Sequence, residues 1–229
     1  MPDSHALIVG ASRGLGLGLA REFLSRDWHV IATARGENPP QAVEELSADY
    51  PGRLMVEPLD VVVDDEIAEL RSRLSDRRLD LLFLNAGIGH GRGETLAATS
   101  AREFSHVMLT NAYGPMRTIE ALQDLVHKDG VIAVMSSGLG SIANNQTGTW
   151  EVYRASKAAL NMLMHNFAAR DKSRTLLAIT PGWVRTDMGG PNATLDVETS
   201  VRGIADVITA RRGTPGLAFL NYKGEAVPW

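Results

Sequence analysis

Cysteine is absent from this 229-residue chain, which excludes disulfides, thiolate zinc sites, iron–sulfur clusters and cysteine nucleophiles. No apolar run approaches the ~18 residues of a membrane span. The opening Met1-Pro2-Asp3-Ser4-His5 has no basic stretch, apolar core or small-residue cleavage site, so it does not read as a signal peptide. Basic charge is not in excess either. Lys+Arg number 23 against 27 Asp+Glu, a formal net charge of −4, which argues against a general nucleic-acid binder. The six histidines show no ligand spacing such as HxxxH; with no thiolate to help them, no metal site is expected. These absences point to a protein of the reducing cytoplasm with no membrane or nucleic-acid partner. What remains, 44 % hydrophobic and 22 % charged residues, is the composition of an ordinary globular chain. Its length suits one large domain that needs no staple.

Apolar β-type runs alternate with amphipathic helical stretches throughout. Strands are predicted at 6–9, 28–34, 54–56, 79–84, 131–135, 176–179 and 217–220. Between them, apolar residues recur at helical spacing: Leu15, Leu19 and Phe23; a weaker set over 42–48; Val63, Ile67, Leu70 and Leu74; and Val201, Ile204 and Ile208. One long helix is expected over 101–126 and another over 153–169. Strands apolar throughout must be covered on both faces, so the fold is expected to be α/β, a doubly wound parallel sheet of about seven strands with helices on both sides. No linker or repeat interrupts the pattern, which predicts one domain over 1–229.

Such a sheet binds its ligand at the carboxyl ends of its strands, and the polar and glycine-rich segments fall there. Gly10-Ala11-Ser12-Arg13-Gly14-Leu15-Gly16 joins the first strand to the first helix. Its glycines let a diphosphate approach the backbone, and the helix start offers unpaired N–H groups. At the tip of the second strand stands Arg35 rather than a carboxylate; the first acid beyond it is Glu37. A guanidinium there can pair with a 2′-phosphate, which favours NADP over NAD. Arg13 offers a second positive charge.

Tyr153 and Lys157 lie four apart, hence on one helix face. A nearby ammonium is expected to pull the phenol's pKa toward the working range. Ser136-Ser137 closes the fifth strand at the same rim. Pro115, four residues after Asn111, has no N–H to give that residue's carbonyl, which leaves an acceptor able to hold a water.

GASRGLG, Asp60, Asn85-Ala86-Gly87, Asn111, Ser136-Ser137, Tyr153-x-x-x-Lys157 and Pro181-Gly182 together resemble the short-chain dehydrogenase/reductase family, in its compact, single-domain, Rossmann-type form. Gly140-Ser141-Ile142-Ala143-Asn144-Asn145 and the stretch Tyr153–Met162 resemble its C-factor/Sniffer-like carbonyl reductases. The resemblance implies an NADP-dependent oxidoreductase acting on a small carbonyl or alcohol compound. Tyr153 would be the general acid and base, Lys157 would hold the nicotinamide ribose, Ser137 would polarise the carbonyl and Asn111 would anchor a proton-relay water. Cofactor contacts would come from Gly10, Ser12, Arg13, Gly14, Leu15 and Gly16, from Arg35, Asp60 and Val61, from Asn85, Ala86 and Gly87, and from Pro181, Gly182, Val184 and Thr186. It also implies a homodimer or homotetramer built on the helices over 101–126 and 153–169.

Two departures stand out. Val9 replaces the family's usual threonine. Ser137 precedes Tyr153 by sixteen residues, about three more than usual, so an enlarged loop over 138–151 must absorb the difference. Ser136 and Ser141 are the alternatives for the polarising role. The substrate wall is expected from Trp150, Ile88–Glu94, Trp183 and Met188–Ala193, a short cover suited to bulky or loosely specified carbonyl compounds. A competing class is a nucleotide sensor with little turnover, which needs the phosphate loop but not the Asn–Ser–Tyr–Lys set. A sugar-nucleotide epimerase or dehydratase would require a larger substrate domain.

Overall fold

A computed structural model describes residues 4–36, 38–89 and 95–229. Glu37 and residues 90–94 of the predicted wall lie outside the described residues. Seven parallel strands form one sheet in the order β3-β2-β1-β4-β5-β6-β7. They are β1 (His5–Val9), β2 (His29–Ala34), β3 (Leu54–Pro58), β4 (Leu79–Leu84), β5 (Val126–Met135), β6 (Thr175–Thr180) and β7 (Gly216–Asn221). The helices between them are α1 (Gly14–Ser25), α2 (Gln41–Asp49), α3 (Asp64–Arg73), α4 (Ala101–Met108), α5 (Gly114–Leu122), α6 (Glu151–Arg170) and α7 (Val197–Arg211). The strand order turns back between β1 and β4, the crevice where open α/β sheets bind ligands.

Alternating side chains along each strand feed two separate cores. Leu7, Val9, Leu82, Leu84, Ile132 and Val134 pack under Ile67 and Leu70 of α3, Ile119 of α5, and Leu160, Met164 and Phe167 of α6. Ala6, Ile8, Leu81, Phe83, Ala133 and Ile179 pack under Leu19 and Phe23 of α1, Leu46 of α2 and Ile204 of α7. Both faces of the sheet are therefore dry, which is why its strands read as unbroken apolar runs. Among the described residues no helix is long and apolar enough to cross a membrane, and no group of three or more candidate ligands is placed to hold a metal.

The single long helix expected over 101–126 is corrected by the structure. After α4 a π turn spans Leu109–Tyr113, and the Gly114 N–H reaches back five residues to the Leu109 carbonyl. Pro115, in the first turn of α5, is the cause: it cannot donate to the carbonyl four residues earlier, and its ring needs room there. The helix then tightens through Gln123–Leu125. Val126 does not continue it but opens β5 opposite Leu79, five residues earlier than expected, with a register shift before Leu81.

Candidate active site

The glycine loop is shaped by what a side chain would strike. Gly10 has φ 84°, and a Cβ there would lie 2.7 Å from the Cα of Ala86. A Cβ at Gly16 would lie 2.1 Å from the Gly10 carbonyl oxygen and 2.6 Å from Asn85 Nδ2. That amide nitrogen donates to the same carbonyl at 2.7 Å, so the loop and the tip of β4 are bolted together. The threonine missing at position 9 is answered from β2. Buried Thr33 accepts the Gly10 N–H through its Oγ1 at 3.0 Å, and its carbonyl takes the Ala11 N–H at 2.8 Å. Nothing in the linear pattern of β2 singles Thr33 out. Leu15 and Gly16 form the first turn of α1, which has no side-chain cap and no acid, so its N–H groups face the loop uncontested. Ser12 stands in the bend just ahead.

Arg35 is exposed at the tip of β2, and among the described residues no carboxylate pairs with it. Arg13, the second positive charge, is paired with Asp187 at 2.7 Å, an ion pair exposed on both sides. It ties the phosphate loop to the segment after β6, and Thr186 Cγ2 lies 3.7 Å from a Cβ built on Gly14. That segment is closed by the Val184–Leu195 bridge. Pro181 anchors it by accepting from Ser200 Oγ at 2.8 Å, and Gly182 at φ 82° turns it. Thr186 Oγ1 takes the Gly189 N–H at 3.1 Å. Asp60 is turned onto its own loop, accepting the Val62 N–H at 3.2 Å, while its own N–H goes to Glu66. Val61 is buried, its carbonyl against Gly114.

On the other side of β4, Asn111 sits fully buried in the π turn. Its amide accepts from Ile88 N–H at 2.8 Å and donates to the Ile88 carbonyl at 2.9 Å and to Ser156 Oγ at 3.0 Å. The side chain is thus committed to holding the strand tip. Lys157, on α6, is buried with its ammonium donating to the Met135 carbonyl at 2.9 Å. It lies 3.4 Å from a Cβ built on Gly87 and 5.9 Å from the centre of the Tyr153 ring.

The three serines are separated by their partners. Ser136 Oγ donates to Asn161 Oδ1 at 2.7 Å inside the core. Ser141, also buried, donates to the Trp229 carbonyl at 3.4 Å and accepts from Asn144 N–H. Ser137 is the one whose hydroxyl lies near enough to the Tyr153 phenol to lower its pKa. Beyond it, Trp150 stands edge-on to Tyr153 with ring centres 5.9 Å apart. Trp183 and Met188 are about half exposed on the facing segment, and Met188 packs against Gly89. Two open surface depressions lie at the opposite end of the sheet beside Lys172; of the charged groups there, Arg170 pairs with Glu120 and Arg174 with Asp171.

The expected lowering of the phenol pKa does not occur in the ligand-free chain. Burial raises it, and the Ser137 hydrogen bond offsets this only in part. The ammonium is itself short of solvent, and burial lowers the Lys157 pKa to about 8 from its usual 10.5. Between those two values the unfolded chain binds a proton that the folded chain does not, so stability rises with pH across that window. Below about 8 the whole penalty, on the order of 3 kcal/mol, is present. Tyr153 acts oppositely, but only above about pH 10. Urea unfolding at pH 8, 9 and 10 is therefore expected to show the ligand-free chain gaining stability relative to Lys157→Met; parallel profiles would contradict the assignment.

Residues 4–195 match the short chain dehydrogenase family. A chain of Burkholderia multivorans solved with bound NADP is 46 % identical, with full coverage of both chains and a TM-score of 0.97. The carbonyl reductase Sniffer of D. melanogaster is 30 % identical over 99 % of each chain, at a TM-score of 0.87. The C-signal protein of Myxococcus xanthus is 36 % identical over 155 residues, 66 % of this chain and 93 % of that one. The strand order, the glycine loop and these matches agree: the chain belongs to the short-chain dehydrogenase family of oxidoreductases.

Proposed function

We propose that this chain is an NADP-dependent oxidoreductase that interconverts a carbonyl compound and its alcohol, with Tyr153 carrying the proton. The observation that carries the reading is the approach of Lys157 to the tip of β4 directly beside a glycine cradle too tight for a Cβ, with Ser137 near enough to Tyr153 to act on its phenol. The cradle suits a dinucleotide. Gly10, Ser12, Gly14, Leu15 and Gly16 would hold the diphosphate through backbone N–H groups, and Arg35 a 2′-phosphate. Asp60 and Val61 would flank the adenine, Asn85, Ala86 and Gly87 its ribose, Lys157 the nicotinamide ribose, and Pro181, Gly182, Val184 and Thr186 the nicotinamide edge. The NADP bound to the B. multivorans chain supports this choice of cofactor. When bound, NADPH supplies the hydride.

The chain's own residues do the rest. Ser137 Oγ accepts the Leu139 N–H at 3.1 Å, which leaves its proton to donate to a carbonyl oxygen. Tyr153, kept protonated by burial, delivers its proton to that oxygen as negative charge develops there. Asn111, its amide already spent, has its backbone carbonyl left to hold the water that resupplies the proton. Trp150, Trp183 and Met188 form an open apolar wall suited to bulky substrates. Exposed Leu109 and Tyr113 in the π turn, with Met162 and Leu163 on α6, support assembly into a homodimer or homotetramer.

NADPH oxidation followed by absorbance over a panel of carbonyl compounds tests the reading. Consumption matched by alcohol formed is expected. Saturable NADPH binding with no oxidation across the panel would favour a sensor.

A further inference from the structure

Ser137 opens a short turn, Gly138–Gly140, closed by the Gly140 N–H on the Ser137 carbonyl at 2.9 Å. Toward α6 this turn is clamped by buried Asn161. Its Oδ1 takes the Ser136 hydroxyl at 2.7 Å, and its Nδ2 donates to the Gly140 carbonyl at 3.3 Å. From Ile142 to Thr149 the loop is exposed, and what holds its start is a single distant residue. The Trp229 carbonyl accepts the Ile142 N–H at 2.7 Å, the Ala143 N–H at 3.2 Å and the Ser141 hydroxyl at 3.4 Å.

Trp229 is itself well anchored. The Val227 N–H returns to the Phe219 carbonyl at 2.9 Å, and Leu220 bridges Ala226, so the segment after β7 doubles back along the sheet edge. The Trp229 ring then packs edge-on to His165 of α6, with centres 4.3 Å apart, and against Phe219 of β7 at 5.0 Å. One residue thus joins the last strand, the helix bearing Tyr153 and the loop bearing Ser137.

We propose that Trp229 is a positioning residue for Ser137: by pinning residues 141–143 to α6 and β7, it fixes where the serine hydroxyl stands relative to the Tyr153 phenol. This rests on the dehydrogenase reading for its kinetic consequence and on the fold alone for its structural one. Trp229→Ala keeps the accepting carbonyl but removes the ring that places it. A displacement of about 1 Å at a reacting group costs on the order of 10²-fold, so kcat is expected to fall about 10- to 100-fold. The KM for NADPH should stay within about twofold, because the Trp229 contacts named above, with residues 141–143, His165 and Phe219, include none of the residues proposed to hold the cofactor. Trp229→Phe, which retains an aromatic anchor, should recover most of the rate.

In a Ser137→Ala background, Trp229→Ala should change kcat by less than about twofold, since a residue acting through Ser137 has nothing left to position. An equal loss in both backgrounds, or an unchanged kcat in Trp229→Ala alone, would overturn the proposal. Hydrogen exchange of residues 138–145 needs no turnover and so separates failure of this inference from failure of the dehydrogenase reading. Exchange at Ile142 and Ala143 about tenfold or more faster in Trp229→Ala is expected. Unchanged exchange would overturn the positioning role even in a chain that oxidises no NADPH.

Discussion

Tyr153→Phe is expected to lower kcat for carbonyl reduction by about 10²- to 10⁴-fold, the range for removal of a general acid, while NADPH binds as before. The substitution deletes one oxygen. The ring, its edge contact with Trp150 and the helix that carries it remain, so a collapse of the fold is not what the assay would report. Burial keeps the phenol's pKa above its ordinary value, which suits proton delivery at neutral pH and opposes proton removal. Alcohol oxidation by the wild-type chain should therefore be the slower direction near pH 7 and should gain as pH rises. Rates from NADPH absorbance and affinity from cofactor fluorescence quenching check both halves. A variant that keeps more than about a tenth of the wild-type rate would show that the proton comes from elsewhere.

Arg35→Asp is expected to reverse the cofactor preference. A charge-assisted hydrogen bond to a 2′-phosphate is worth about 1.5–3 kcal/mol, a factor of about 10–100 in affinity. Arg35 is exposed, so salt screens it and the loss for NADPH should lie near tenfold. The introduced carboxylate adds repulsion toward a phosphate and an acceptor for a free 2′-hydroxyl, so NADH should improve while NADPH weakens. Titration with both cofactors at two ionic strengths checks this. An unchanged NADPH/NADH ratio would move the 2′-phosphate away from β2.

The parts of the molecule that could be read from sequence share a physical origin. A sheet buried on both faces forces apolar runs, and ligand-bearing loops must interrupt them at the strand ends, so the glycine loop, Asn85 and Tyr153–Lys157 all announced themselves. Short-range rules failed where a distant group decides. The stretch over 101–126 looks like one helix because Val126 is apolar for the sheet's sake rather than the helix's, while the π turn at Leu109–Tyr113 is set by Pro115. Ser137 is assigned the polarising role, but sequence leaves Ser136 and Ser141 as alternatives. Asn161 takes one and Trp229 another, partners 25 and 88 residues away. The phenol's pKa departs from the expectation because helical spacing fixes a neighbour but not how much water reaches it. Thr33 and Asp187 had no signal at all, since each acts only through a segment brought beside it by the fold.

The most direct measurement follows the hydrogen itself: turnover with NADPH deuterated at the transferring face of nicotinamide C4, and analysis of the alcohol formed. The account predicts one deuterium per turnover on the former carbonyl carbon, with none lost to water, and the oxygen-bound hydrogen drawn from solvent by way of Tyr153. Cofactor that binds tightly and keeps its label in the presence of carbonyl compounds, or label that appears in water instead of the alcohol, would contradict it.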